Sequence, residues 1–139
     1  MEIDTRTDFG ARVARHLEED QVVWLTTVGP DGTPQPSPVW FLWGGDTVLI
    51  RSQPSTPKVR NIEQRNRVSL HFNCTPNGGD VVILTGEAWV EAGAAPANLD
   101  PAYINKYAGG IQSIDMTPDA FAQEYSIAIR VRPTSLRGH

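Results

Sequence analysis

The sequence predicts a mainly β domain, a six-stranded antiparallel barrel decorated with short helices. Six short segments rich in β-branched and aromatic residues alternate with turn motifs such as GPDG at 29–32 and GGD at 44–46. Most of these segments follow one another through short turns, as antiparallel strands do, and one short helix separates the third from the fourth. The length of 139 residues is typical of a single domain, 1–139, with enough chain to bury a core.

The composition is that of an ordinary globular protein, with 40% hydrophobic and 20% charged residues. The single cysteine, Cys74, excludes an internal disulfide and a cysteine-based zinc site. No apolar run is long enough to span a bilayer, and the first residues are acidic and polar, unlike those of a secretory signal. We therefore expect a cytoplasmic protein without a membrane partner.

The first half of the chain predicts one helix followed by three strands. Residues 8–19 form a short amphipathic pattern, with Thr7 or Asp8 as the cap. Its apolar residues recur every four positions: Phe9, Val13 and Leu17. The strands are predicted at 22–28, 33–43 and 47–52. Three prolines at alternate positions within 34–38 cannot donate ladder hydrogen bonds, so this part should be an edge, a bulge or a place where something other than a strand lies alongside.

The second half mixes helices and strands. A helix at 56–65 begins with Thr56 as its cap and Pro57 in its first turn. The remaining elements are strands at 67–73 and 81–91, helical segments at 99–107 and 118–125, and a last strand at 126–132 before a polar tail. Gly86, inside a strand pattern, predicts a bulge or a bend.

The cations are concentrated in one basic segment. Between Arg51 and Arg67 there are five cations against a single acid, Glu63, so the segment carries +4 and the rest of the chain −8. Such a pattern indicates a small anionic ligand rather than a long polyanion, so we expect no nucleic-acid partner. A solvated basic face is an equally consistent interpretation of a charge run taken alone.

Two of these cations, Lys58 and Arg60, follow the proline that starts the helix at 56–65. The free N–H groups at a helix start make it partly positive, and a cation there is usually unfavourable by about 0.3–1 kcal/mol. No acid lies in this first turn. A bound anion would turn the unfavourable arrangement into a joint attraction.

The signatures of other chemistries are absent. There is no phosphate-binding P-loop, no dinucleotide-binding glycine motif and no nucleophile elbow. The histidines His16, His71 and His139 lie in separate elements without metal-ligand spacing, so no metal site is predicted. His71 is interpreted as a packed or edge residue rather than a catalytic base.

Aromatic residues accompany the basic segment. Trp24 is interpreted as a core residue. Trp40 ends the proline-interrupted stretch QPSPVW, whose prolines leave backbone carbonyls free to meet a flat ligand. An anion site beside such an apolar, hydrogen-bonding wall suits a phosphate-bearing aromatic cofactor.

Four stretches, taken in order, resemble one protein family. They are VWLTTVGPDGTPQPSPVW (23–40), DTVLIRS (46–52), TPKVRNI (56–62) and RVSL (67–70). Together they resemble the pyridoxamine 5′-phosphate oxidase-like split barrels, and within them the small deazaflavin (coenzyme F420)-dependent oxidoreductases. The resemblance implies a split β-barrel that forms a homodimer, with a cofactor site at each end of the subunit interface. The C-terminal substrate-binding region of the longer pyridoxamine 5′-phosphate oxidases has no counterpart in this chain.

The resemblance also implies which residues meet the cofactor. Lys58 and Arg60 would hold its phosphate, together with Arg51 and Ser52 from the preceding strand end. Ser37, Pro38, Val39 and Trp40 would line its ring, and Ile50, Val59 and Asn61 complete the expected cofactor-binding set. Tyr103 and Tyr107 are possible proton donors for the substrate, solvent is another, and the catalytic residue stays undetermined. Lys106 is interpreted as a solvated residue, or as a contact of an acidic cofactor tail.

The activity implied is hydride transfer between the cofactor and an unsaturated small-molecule substrate, with coenzyme F420 as the expected cofactor. Three alternatives remain open at the level of sequence. They are an FMN-dependent reductase of the same fold, a non-catalytic cofactor-binding protein, and a nucleic-acid-binding barrel, which the net charge of −4 disfavours.

Overall fold

The computed structural model describes all residues, 1–139, and contains seven strands and four α-helices. The strands are β1 (Val23–Val28), β2 (Pro34–Val39), β3 (Leu42–Trp43), β4 (Val48–Ser52), β5 (Arg67–His71), β6 (Val82–Val90) and β7 (Ile127–Gly138). The helices are α1 (Asp8–Glu19), α2 (Pro57–Gln64), α3 (Pro101–Ser113) and α4 (Pro118–Glu124), with a 3₁₀ turn at Ala97–Leu99. None of the helices is long and apolar enough to cross a membrane.

All seven strands form one antiparallel sheet in the order β2-β1-β5-β6-β7-β4-β3. The two edge strands, β2 and β3, are joined by only two residues, Trp40 and Phe41. Opposite edges that are so close along the chain must also be close in space, so the sheet curls into a barrel with one split. The predicted mainly β split-barrel fold is confirmed.

The strand count differs from the prediction because the expected strand at 33–43 is two strands. β2 ends at Val39, and β3 begins at Leu42 on the far side of the split. β2 pairs with β1 alone, so it is an edge strand, as its prolines require. Pro34, Pro36 and Pro38 share one side of the strand, and the register pairs them with Val28, Thr26 and Trp24.

The last strand is longer than predicted, because the supposed polar tail after 132 continues to pair with β6. β7 runs from Ile127 to Gly138, and the register shifts between Thr85 and Gly86, which confirms the expected bulge. A Cβ at position 86 would lie 2.1 Å from the carbonyl oxygen of Arg132, so only glycine allows this approach. The missed part, PTSLRG at 133–138, begins with a proline and has little apolar alternation, so its sequence does not indicate a strand.

A cluster of 18 buried apolar residues fills the barrel. Its members come from the inward faces of the strands and from the apolar faces of α1 and α2, such as Val13 and Ile62. α1 begins with Thr7, whose hydroxyl accepts from the Gly10 N–H at 2.9 Å, so the predicted cap is confirmed. The predicted helix at 99–107 begins two residues later and extends to Ser113.

Trp24 is not in the core, contrary to the interpretation from the sequence. Its neighbours Val23 and Leu25 are buried, so the period of two places Trp24 on the outer face of the barrel. There its ring lies parallel to that of His71 with centroids 6.0 Å apart, and its Nε1 donates to Asn73 Oδ1 at 2.9 Å. His71 is thus a packed residue of a central strand.

Helix α3 closes the split of the barrel. The Tyr107 hydroxyl accepts from the backbone N–H of Phe41 at 2.8 Å and lies 2.9 Å from the carbonyl oxygen of the same residue. Lys106 Nζ donates to this carbonyl at 2.9 Å and lies 3.7 Å from the centroid of the Phe41 ring. Burial lowers the pKa of Lys106 to about 8. Lys106 is therefore a structural contact of the split rather than a solvated side chain.

A polar cluster ties α1 to the start of β6. His16 lies between Asp20 and Asp80, at 2.6 Å and 3.0 Å, and Arg12 Nη1 lies 2.9 Å from Asp80. The hydrogen bond to His16, and then that to Arg12, hold the pKa of Asp80 below its usual value.

A carboxylate whose pKa is lower in the folded state stabilises the fold above its unfolded pKa, about 3.9, and loses that contribution as the pH falls through its folded pKa. We therefore expect the stability of the protein to decline below about pH 4, and to decline less steeply in Asp80→Asn. Urea unfolding of both proteins between pH 3 and 7 checks this. Parallel pH profiles would contradict the assignment to Asp80.

Candidate functional site

The candidate site lies where β4 ends and α2 begins. Ser52 ends the strand, and a four-residue turn leads to Pro57, the first residue of the helix. Within this turn Ser55 adopts a φ of 61°, in the left-handed region that side chains rarely adopt. The turn brings the strand end and the helix start together in the wall of one cavity.

This cavity has a volume of about 280 Å³. Six of the residues predicted from the sequence line it: Pro38, Val39, Trp40, Arg51, Ser52 and Lys58. Five others complete the lining: Gln53, Tyr103, Ile114, Phe121 and Tyr125. Two cations and no acidic residue face the cavity, so its electrostatic potential favours an anion.

Lys58 is one of the two cations that the sequence places at the start of α2. Its side chain is half-buried and forms neither a hydrogen bond nor an ion pair within the chain. Burial lowers its pKa, because water is removed from the ammonium group without a counter-charge in return. An anion in the cavity would supply the missing partner.

Arg51 is buried, and each terminal nitrogen of its guanidinium already has one partner. Its Nη1 donates to the carbonyl oxygen of Ala95 at 2.6 Å, and its Nη2 lies 3.4 Å from the carboxylate of Asp100. Its Nε is buried without any hydrogen-bond partner. Arg51 therefore keeps an unpaired Nε donor on a guanidinium that a distant loop holds in place.

The start of α2 has no side-chain cap, contrary to the role predicted for Thr56. The hydroxyl of Thr56 lies 3.2 Å from that of Ser52 instead, and Ser52 in turn donates to the carbonyl of Gln53 at 2.9 Å. The hydroxyls of the turn thus stabilise one another. The N–H groups at the start of the helix are left without a capping side chain.

The other five predicted residues do not line the cavity. Arg60 is exposed, donates to the carbonyl of Ser55 and lies in a separate cleft with Arg65. Ile50 and Val59 belong to the barrel core, and Ser37 is half-buried in the edge strand β2. The fifth is Asn61.

Asn61 is buried and holds α2 against the sheet. Its side-chain nitrogen donates to Thr27 Oγ1 at 3.0 Å and to Gln35 Oε1 at 2.8 Å. We expect Asn61→Ala to destabilise the protein by about 1–3 kcal/mol, because the buried Thr27 hydroxyl loses its partner. Urea denaturation measures the change. An unaltered free energy of unfolding would contradict this structural role.

The aromatic wall of the cavity comes from two separate parts of the chain. Trp40 stacks on Tyr107 with ring centroids 4.7 Å apart and on Phe121 at 5.7 Å. Phe121 in turn stacks on Tyr125 at 4.5 Å. Phe121 and Tyr125 line the cavity although the sequence did not predict them as site residues. Their only signal in the sequence is the Thr117-Pro118 helix start, which places them after a well-defined cap.

The family model described as pyridoxamine 5′-phosphate oxidase matches residues 9–136. A search of the curated proteins finds no match. No group of three or more His, Cys, Asp or Glu side chains is arranged to hold a metal ion.

Among solved structures, an F420 reductase is 27% identical with a TM-score of 0.59, and the match covers 87% of this chain and 92% of that one. The Mycobacterium tuberculosis protein Rv2991 is 20% identical with a TM-score of 0.68, over 91% of this chain and 80% of that one. HutZ, the heme storage protein from Vibrio cholerae, is 14% identical with a TM-score of 0.64, over 99% and 95%. The last two show a shared fold alone.

Proposed function

The chain belongs to the pyridoxamine 5′-phosphate oxidase family, and from that premise we propose that it is an oxidoreductase that binds a planar, phosphate-bearing cofactor. The cofactor we propose is the deazaflavin coenzyme F420, with FMN as the alternative. The substrate would be an unsaturated small molecule. The similarity to an F420 reductase supports the choice of cofactor.

One observation carries the proposal. A single cavity joins a half-buried, unpaired Lys58 at an uncapped helix start to the aromatic wall around Trp40. The ammonium group and the free N–H groups attract a phosphate, and the apolar wall accepts a flat ring. The buried Nε of Arg51, which has no partner in the chain, adds a further donor. The residues present therefore fit the proposed group.

In this proposal the protein binds and orients, and the bound cofactor supplies hydride to the substrate. Lys58 would neutralise the phosphate, and Pro38 and Val39 would border the ring from the edge strand. Phe121 and Tyr125 would exclude water from its other side. Orienting two reactants and excluding water from their contact are the chief contributions that such a site makes.

Titration of the purified protein with both cofactors tests the proposal. We expect oxidised coenzyme F420 to bind, with quenching of its fluorescence. We expect the complex with the reduced cofactor to reduce a cyclic enone, with oxidation of the cofactor in the same step. Tighter binding of FMN than of coenzyme F420 would identify the flavin-dependent alternative. Binding without turnover across a panel of enones and quinones would identify a non-catalytic carrier, and binding of neither cofactor would refute the proposal.

We also propose that the site is completed in a homodimer. The cavity of about 280 Å³ in one chain is slightly smaller than most ligand pockets, which range from about 300 to 1,000 Å³. A second copy closing over the cavity would enclose the rest of a larger cofactor. Light scattering should give a mass of about twice the 15.3 kDa of one chain. A monomer that binds the cofactor at full affinity would contradict the homodimer proposal.

A further inference from the structure

Two tyrosines lie one turn apart on α3, and their hydroxyls have opposite surroundings. Tyr103 and Tyr107 are both buried, with ring centroids 5.0 Å apart. The Tyr107 hydroxyl accepts from the N–H of Phe41 and lies within 2.9 Å of the carbonyls of Phe41 and Gln21. The Tyr103 hydroxyl has no hydrogen-bond partner at all.

A buried hydroxyl without a partner is rare in folded proteins, because it loses its water and gains nothing in return. Phenylalanine at position 103 would provide the same ring without this cost. The Tyr103 ring contributes to packing against Phe121, at a centroid distance of 6.0 Å, but the hydroxyl adds nothing to that contact. The unpaired hydroxyl therefore calls for a partner from outside the chain.

The position of Tyr103 identifies where such a partner would lie. Tyr103 lines the same cavity as Lys58, and the guanidinium of Arg51 lies 5.6 Å from the centroid of its ring. Arg51 lines this cavity as well, and its Nε is the second buried donor without a partner. A guanidinium N–H can only donate, so the missing partner on this wall is a hydrogen-bond acceptor.

Burial raises the pKa of the Tyr103 hydroxyl far above neutrality, so it keeps its proton and can serve as a donor. The same hydroxyl is closed off from solvent by its neighbours. An acceptor atom of a ligand can therefore reach it only after a local rearrangement of the cavity wall, of the kind that side chains commonly make on binding.

We propose that the Tyr103 hydroxyl donates a hydrogen bond to an acceptor oxygen of the planar ligand bound in this cavity. The inference rests on the proposed function, and it adds a specificity-determining contact to it. The oxygen is a ring carbonyl, which either the cofactor or a carbonyl-bearing substrate can present. Ligands without an acceptor at that position should bind less tightly, because the donor would stay unpaired.

Tyr103→Phe and Tyr107→Phe form a matched pair of variants for the test. Without ligand, we expect Tyr103→Phe to melt at or above the wild-type temperature, because it removes an unpaired polar group. Tyr107→Phe should melt at a lower temperature, because it leaves the backbone groups of Phe41 with fewer partners. A loss of stability in Tyr103→Phe equal to that in Tyr107→Phe would overturn the inference.

Binding supplies the second readout, with coenzyme F420 and FMN as probes of the cofactor and cyclohexenone as a probe of the substrate. A roughly tenfold loss of cofactor affinity in Tyr103→Phe would assign the oxygen to the cofactor. A roughly tenfold rise in the KM for cyclohexenone, with cofactor affinity retained, would assign it to the substrate. If Tyr103→Phe shows neither of these changes while the wild-type protein binds cofactor, this inference is overturned and the proposed function still stands. A wild-type protein that binds neither cofactor would overturn the proposed function and this inference with it.

Discussion

Replacement of Lys58 by alanine is expected to weaken cofactor binding about 10- to 150-fold. A hydrogen bond to a charged group contributes about 1.5–3 kcal/mol, and each 1.4 kcal/mol corresponds to a factor of ten. Lys58 has no partner within the chain, so its removal should leave the fold intact. Fluorescence titration measures the affinity, and thermal denaturation verifies that the variant is folded.

Two further variants give this experiment its controls. Arg67→Ala removes a charge of the same basic segment, at a position that is exposed and 3.7 Å from Glu87, so it tests the effect of net charge alone. Arg60→Ala tests the second cation that the sequence assigned to the phosphate. If Arg60→Ala loses as much affinity as Lys58→Ala, Arg60 also contacts the phosphate, and the assignment of the phosphate to the Lys58 side of the helix start is wrong. Unchanged affinity in Lys58→Ala would refute the site.

Replacement of Phe41 by alanine is expected to destabilise the protein by about 3–5 kcal/mol. Its side chain is fully buried, packs edge-on against Phe72 at 5.7 Å and carries the ammonium group of Lys106 on its face. The residue also connects the two edges of the sheet. The melting temperature should therefore fall by roughly 10 °C or more, as calorimetry would record.

Phe9→Ala is the matched control for this variant. Phe9 is only half-buried on α1, where it packs against the outside of the same core. Phe9→Ala should lower the free energy of unfolding clearly less than Phe41→Ala, because the Phe9 side chain removes less apolar surface from water in the folded protein. Equal destabilisation of the two variants would mean that the junction between the edges has no special importance for the fold.

Most of the fold could be predicted from the sequence, because the alternation of apolar residues is a local property. The strands, the α2 helix and the bulge at Gly86 follow from short-range patterns. The break at Trp40 and Phe41 does not, since it depends on which edge each half of the segment joins. The outward position of Trp24 follows from the period of two, whereas the large apolar ring alone favours a position in the core.

The site was predicted less completely, for two physical reasons. Lys58 and Arg60 are two positions apart on a helix, and such residues point in different directions, so one cavity cannot readily receive both. Arg51 is partly occupied by Asp100, a residue 49 positions away, and no local pattern reveals such a contact. The local sequence thus predicts a candidate anion site, and tertiary contacts determine which cations remain available to it.

The junction of the two sheet edges has a consequence for the motions of the protein. Trp40 lines the cavity and Phe41 closes the split, so the wall of the site and the closure of the barrel share one short connection. Any fluctuation that separates the edges would also dismantle the cavity. A ligand that binds only the closed form should therefore slow amide hydrogen exchange in β2 and β3, strands that lie at opposite ends of the sheet order.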